Sequence, residues 1–290
     1  MAVRCLADVN AAYDDGRWHM QRFYKSTGTA GDGHWHDWSY AAGQPGYDAR
    51  IGAVGEFNPY VATKNDAIWF PGIAESHERH LARITLCTVA SGTGQLTLDG
   101  VLYDLLGVYP LIDGDSTDEQ TFTNAAPLPR YADGVGVFPV LVNHVSPIVS
   151  AANLTYKFLD TEDVEQTVSA GVHLTGQNRV CSGITGTTAA GAISLPIASA
   201  HGCKAITSLT FTAAPGGLFA VYLVKPITTI HNCDGSSAAA KIATEKDVFL
   251  MDSMRLPRIY DGAWLGFFLR PNGSARTISS VFGNATFIWG

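Results

Sequence analysis

From about Tyr47 onward, short apolar or alternating runs are punctuated by Gly, Pro, Asn and Asp, the rhythm of β-strands and turns. The runs are Ala67–Ile73, Leu81–Val89, Gln95–Leu98, Leu102–Ile112, Gly134–Val142 and Leu154–Phe158. They continue with Ala192–Ala198, Ser208–Thr212, Leu218–Val224, Val248–Leu250, Trp264–Leu269 and Ala285–Trp289. Leu105 to Ile112 is too apolar for a strand with one wet face, so burial on both faces is expected. Upstream, Leu6, Val9, Tyr13, Met20 and Phe23 predict a short helix within 6–24, interrupted at Asp14-Asp15-Gly16.

The pattern repeats. Leu128-Pro129-Arg130-Tyr131-Ala132-Asp133-Gly134 returns as Leu256-Pro257-Arg258-Ile259-Tyr260-Asp261-Gly262, each time before an apolar run. A proline that fixes φ, followed by an Asp-Gly turn, leads a chain into a buried strand. The order is kept on both sides: Ala67 to Pro71 answers Ala192 to Pro196, Ile84-Thr85 answers Ile206-Thr207, and Asn153 to Phe158 answers Asn284 to Trp289. The expected fold is therefore all-β: tandem duplicated antiparallel β-sandwich, jelly-roll-like domains over 48–162 and 163–290, each with its own core and the same strand order. Residues 1–47 are read as an extended N-terminal arm, and the Gly/Ser/Thr-rich 182–190 as a loop or linker. The arm carries Trp18, Phe23, Tyr24, Trp35, Trp38 and Tyr40, more aromatic surface than so short a segment can enclose, so these are the expected docking residues.

Composition narrows the function. Of 290 residues, 46% are hydrophobic and 16% charged, a globular balance. A net charge of −7 with no Lys/Arg cluster argues against a nucleic-acid surface. Cys5, Cys87, Cys181, Cys203 and Cys233 are irregularly spaced and read as reduced thiols, and no apolar run suits a membrane span.

Candidate chemistry is sparse. His34 and His36 at i and i+2 with Asp37 could ligate a metal from one side of an extended strand, against the plainer reading of aromatic anchoring with polar tips. His77-Glu78-Arg79-His80 reads as a solvated loop. Asp113, Asp115, Thr117 and Glu119 put oxygens at alternate positions, as a calcium loop does, but Asp118 stands where such a loop needs glycine. No nucleophile elbow, phosphate loop, dinucleotide fingerprint or His-Glu-x-x-His occurs, so no catalytic residue and no cofactor are expected. Pro129, Arg130, Asp133 and Gly134, with Pro257, Arg258, Asp261 and Gly262, are read as structural turns in which each Arg/Asp pair braces its own bend.

The arm Gly31 to Ser39, the tandem Leu-Pro-Arg-x-x-Asp-Gly and the terminal Phe282-Gly283-Asn284-Ala285-Thr286-Phe287 resemble structural proteins encoded by tailed bacteriophages. The resemblance implies a non-enzymatic virion component, similar to capsid decoration (cement) proteins. Its implied partners are capsid or other virion subunits and further copies of itself, assembled in the bacterial cytoplasm without nucleic acid or membrane. The alternatives are a tail or baseplate component, or a carbohydrate-binding host-recognition module using Trp18, Trp35, Trp38, Trp69 or Trp264 as stacking platforms, with Ca²⁺ at Asp113 to Glu119.

Overall fold

The computed structural model describes residues 3, 5–30, 35–39, 41–46, 52–62, 67–68, 70, 72–73, 77–91, 96–145, 147–148, 151–173, 180–181, 183–184, 195–197, 201–234, 241–247, 256–272 and 277–290. Among them lies a single helix, α1 (Leu6–Asp14), followed by β1 (Trp18–Ala30), β2 (Trp35–Asp37), β3 (Ala42–Gln44), β4 (Asn58–Pro59), β5 (Arg79–Ser91) and β6 (Leu96–Asp113). Then come β7 (Gln120–Thr121), β8 (Phe138–Val145), β9 (Ala151–Leu159), β10 (Glu165–His173), β11 (Val180–Cys181) and β12 (Gly183–Ile184). The chain closes with β13 (Ala205–Phe211), β14 (Leu218–Asp234), β15 (Lys241–Asp247), β16 (Leu265–Asn272) and β17 (Thr277–Trp289). The protein is all-β, as the strand rhythm predicts.

The predicted helix over 6–24 is half helix and half strand. Gly16 at φ 69° ends α1, and from Trp18 to Lys25 exposed and inward positions alternate with period two. The alternation seats β1 between β17 and β3 in a sheet of order β15-β5-β17-β1-β3, here the β1 sheet. The described residues between 18 and 46 are thus built into the fold rather than forming a free arm.

Three layers result. In the middle, β14, β8, β11, β2, β16 and β6 pair in turn, and β6 pairs back to β14, closing a barrel with β4 added on β6. Trp35, Val101, Tyr103, Leu105, Val140, Val142, Tyr222, Trp264 and Phe268 pack together as its filling. Tyr103 stacks on Phe268 with ring centroids 4.0 Å apart. The β1 sheet covers one outer side of the barrel through Phe23, Ile84, Leu86, Phe267, Leu269 and Phe287. A sheet of order β12-β10-β9-β13-β7, the β10 sheet, covers the other through Tyr156, Phe158, Ile206, Phe211, Phe219 and Leu223. The run from Leu105 is buried on both faces as expected, apart from Leu111 at φ 56°.

The duplication is real in the pairing, but the two copies are not separate cores. β6 and β14 pair with each other over almost their whole length. Around them, β8 pairs with β14 as β16 pairs with β6, β9 with β13 as β17 with β5, and β10 with β9 as β1 with β17. Val140 lies opposite Tyr222, while Phe268, its counterpart by the Leu-Pro-Arg repeat, lies opposite Val101. Each copy thus lends strands to the sheets of the other, which corrects the expected division into 48–162 and 163–290. The reason is strand length: β6 and β14 have 18 and 17 residues, enough to serve the barrel and both outer layers.

Because the layers share strands, unfolding is expected to be a single transition by both fluorescence and circular dichroism. Phe268→Ala should remove about 3–5 kcal/mol in denaturant titration by leaving a cavity in the barrel.

Candidate functional site

The two repeat turns come together at the middle of β6. Arg130 is buried against the fully buried Asp104: Nε donates to Oδ2 and Nη2 to Oδ1, each at 2.8 Å. The same guanidinium donates to Leu105 O at 2.9 Å and Tyr60 O at 3.0 Å, and Asp104 Oδ1 also accepts the Trp264 N–H from beyond the second turn at 2.9 Å. Burial pushes the Asp104 carboxyl up, while Arg130 and the Trp264 N–H pull it back. Tyr131 and Tyr260 meet edge to face at 4.9 Å. Gly134 and Gly262, at φ 72° and 71°, give the two turns one shape.

The turns are not braced as expected. Asp133 caps its own bend by accepting the Val135 N–H at 3.1 Å, leaving Arg130 for Asp104. In the second copy Arg258 pairs with Glu78 at 2.8 Å, and Asp261 with the buried Arg79 at 2.8 Å. Leu81 N–H bonds Pro257 O at 3.1 Å, tying this turn to β5. His80 lies beside it, Nδ1 3.2 Å from Leu256 O. Burial holds its imidazole below the ordinary value, with Arg258 acting in the same sense and Leu256 O and Glu78 opposing. Arg130, Asp133, Arg258 and Asp261 are thus each held by a hydrogen bond or ion pair, and Pro257 through its carbonyl.

The metal candidates do not converge. His34 lies outside the described residues. His36 pairs with Leu269, which packs outside the barrel, and Asp37 with Phe268, which packs inside, because neighbours on a strand face opposite ways. Asp37 accepts from Ser39 N–H at 3.0 Å, from the Ser39 hydroxyl, and from the Tyr103 hydroxyl at 2.9 Å. In the acidic loop Asp113 Oδ1 accepts the Asp115 N–H at 2.8 Å, while Glu119 is held by Lys157 at 2.8 Å and Ser208 at 2.6 Å. Among the described residues no group of three or more His, Cys, Asp or Glu is placed to hold a metal. No helix among them is long and apolar enough to cross a membrane.

The predicted docking aromatics divide. Phe23, Trp35 and Trp38 are buried core residues, and Tyr40 and Trp69 lie outside the described residues. Trp264 is buried in the barrel, so of the five proposed stacking tryptophans only Trp18 is described as exposed. Trp18 is 44% exposed, Met20 42% and Tyr24 48%, all on the outer face of β1 with Arg22 between them. Leu6 and Tyr13 of α1 are 54% and 38% exposed, and the Tyr13 ring lies 6.0 Å from Trp18. Beyond this apolar strip, a groove of about 420 Å³ opens over Arg22, Tyr24, Gln44, Thr85, Phe282 and Asn284. Buried Lys25 fixes its rim by donating to Ser39 O, Ala41 O and Gly46 O at 2.6, 3.1 and 3.1 Å, which holds β3 and Gln44 beside Tyr24. Gly283 is needed beneath it: a Cβ there would stand 2.0 Å from Thr85 O and 2.7 Å from the Phe23 ring.

The duplication supplies an internal control. β10 holds in its sheet the place β1 holds in its own, yet its outward residues are Glu165, Thr167 and Ser169. Two of them are bonded within the sheet, Glu165 by Thr207 and Ser169 by Thr155, each at 2.9 Å. The fold does not require aromatic residues at these outward positions. Sequence reading named Trp18 and Tyr24 but missed Met20, Arg22, Gln44 and Thr85. The alternation over 18–24 and the Phe282-Gly283-Asn284 motif were the available signals.

No protein-family model and no curated protein matches the chain by sequence. Among solved structures, the VP2 subviral particle of infectious bursal disease virus aligns over 93% of this chain and 80% of its own, at 10% identity and a TM-score of 0.19. The T13 viral particle of the same virus aligns over 93% and 77%, at 10% identity and a TM-score of 0.20. Scores this low establish no common fold.

Arg130→Met, which strands Asp104 in the barrel wall, is expected to cost about 3–5 kcal/mol in denaturant titration, against about 1 kcal/mol or less for half-exposed Arg258→Met. The folded value of His80 lies below the unfolded one, so the unfolded chain binds more protons as pH falls below about 6.5 and stability drops there. His80→Gln, which can still donate to Leu256 O, should flatten this loss by up to about 1.4 kcal/mol per pH unit between about pH 7 and 5.

Proposed function

We propose that the chain is a non-enzymatic virion structural protein, and more narrowly a bacteriophage capsid decoration protein. It binds the shell through the outer face of the β1 sheet and bridges neighbouring subunits. The observation that carries this reading is the strip of Leu6, Tyr13, Trp18 and Met20, in which Trp18 and Met20 hold the register positions that Thr167 and Ser169 take in the duplicated half. Large apolar side chains held on a rigid sheet lose little entropy on docking and exclude much water, which suits a standing interface. The resemblance of residues 31–39, the repeat turns and 282–287 to tailed-phage structural proteins supports the virion assignment. The engagement of the candidate ligands and turn residues in structural bonds supports a non-catalytic role.

The test is to replace Trp18 and Met20 by Ser together and measure occupancy in purified particles. The variant is expected to unfold at nearly the wild-type midpoint and to be missing from the shell. Full occupancy would overturn the docking assignment, and recovery of the wild-type protein on tail structures alone would replace the shell by the tail.

A further inference from the structure

We infer that the groove at the far end of the β1 sheet is a binding site for an acidic saccharide, separate from the docking strip. The argument starts from what the groove offers. It runs across a sheet face, where the backbone groups of β1, β17 and β5 are committed to pairing: Tyr24 with Phe282 and Phe282 with Cys87, Arg22 with Asn284 and Asn284 with Thr85. Only side chains remain to recognise a ligand. A peptide laid on a sheet gains its affinity from backbone hydrogen bonds at an edge, which this floor does not provide. A saccharide is read by side chains alone, its hydroxyls by amides and hydroxyls and its ring C–H face by an aromatic plane.

The lining fits that division. Tyr24 is half exposed and Phe282 partly so, giving apolar surface to a sugar ring. Gln44 is exposed on the rim and Asn284 Nδ2 donates to Thr85 Oγ1 at 3.4 Å; the Thr85 hydroxyl also accepts the Asn284 N–H at 3.0 Å and is held in the sheet, so the Gln44 and Asn284 amides are the neutral polar groups beside the aromatics. The charge is one-sided. In a chain of net charge −7, the described residues lining the groove include the Arg22 guanidinium and no carboxylate. A guanidinium beside amides and an aromatic face selects a carboxylate-bearing sugar, since it binds the carboxylate through two parallel hydrogen bonds. A volume of about 420 Å³ is within the range of ligand sites. On the β10 sheet Gly171 lies opposite Asn153 as Arg22 lies opposite Asn284, so the duplicated half places no guanidinium there and duplication alone does not account for the groove.

The experiment titrates the full chain by calorimetry with pentagalacturonate, with cellopentaose as neutral sugar and pentaglutamate as acidic peptide. Pentagalacturonate is expected to bind, with Arg22→Ala and Tyr24→Ala each weakening it by about tenfold or more at unchanged unfolding midpoints. Thr167→Ala on the opposite face should leave binding intact. The inference is overturned if pentagalacturonate does not bind, if neither groove variant weakens it, or if cellopentaose or pentaglutamate binds as well. Shell occupancy of Arg22→Ala separates the two sites: it stays at the wild-type level if the docking strip works independently of the groove.

Discussion

The antiparallel pairing of β6 with β14 is the constraint on which the rest of the molecule depends. Each strand runs through the barrel wall and onward beneath an outer sheet, so every layer is built against the same two strands. At their midpoint Asp104 of β6 stands opposite Lys225 of β14, positions the duplication makes nearly equivalent. They are used differently. Asp104 is buried and gathers Arg130 and the Trp264 N–H, whereas Lys225 turns outward to Val135 O at 2.8 Å and over the Tyr131 ring. A buried carboxylate is tolerated only with its hydrogen bonds complete, and here both repeat turns supply them.

Much of this was legible in the sequence, at the level of elements. The strand rhythm, the doubly buried run from Leu105 and the duplication follow from periodicity and repetition, local properties of a chain. Which copy pairs with which is not local. Strands of opposite copies present the same alternation, so a side-by-side and an interleaved duplication have the same pattern of apolar positions. The N-terminal segment was misread for another reason: the inward face of β1 carries His19, Gln21 and Lys25 beside Phe23, and a buried lysine satisfied by three carbonyls masks the period of two. The partners of the turn arginines were hidden in the same way, since Asp104 and Glu78 become neighbours only through the strands that carry them.

The functional reading rests on asymmetry within symmetry. Two outer sheets descend from one pattern, and one shows a polar surface of Thr, Ser and Glu. The other shows Trp18, Met20, Arg22 and Tyr24, with α1 sealing part of its face through Val9, Ala12, Ala82 and Ile288. Exposed aromatic residues add nothing to a folded monomer that the polar counterpart lacks. The proposed docking role is what gives them a place.

The central claim is that the two copies form one interleaved fold, and the most direct measurement is the solution state of 163–290 made alone. The account predicts that it is not a folded monomer, since β14 lacks β6 and β8, β13 lacks β9, and β17 lacks β5 and β1. It also predicts that adding 1–162 restores native circular dichroism and a cooperative transition. A monomeric 163–290 that unfolds cooperatively by itself would contradict it.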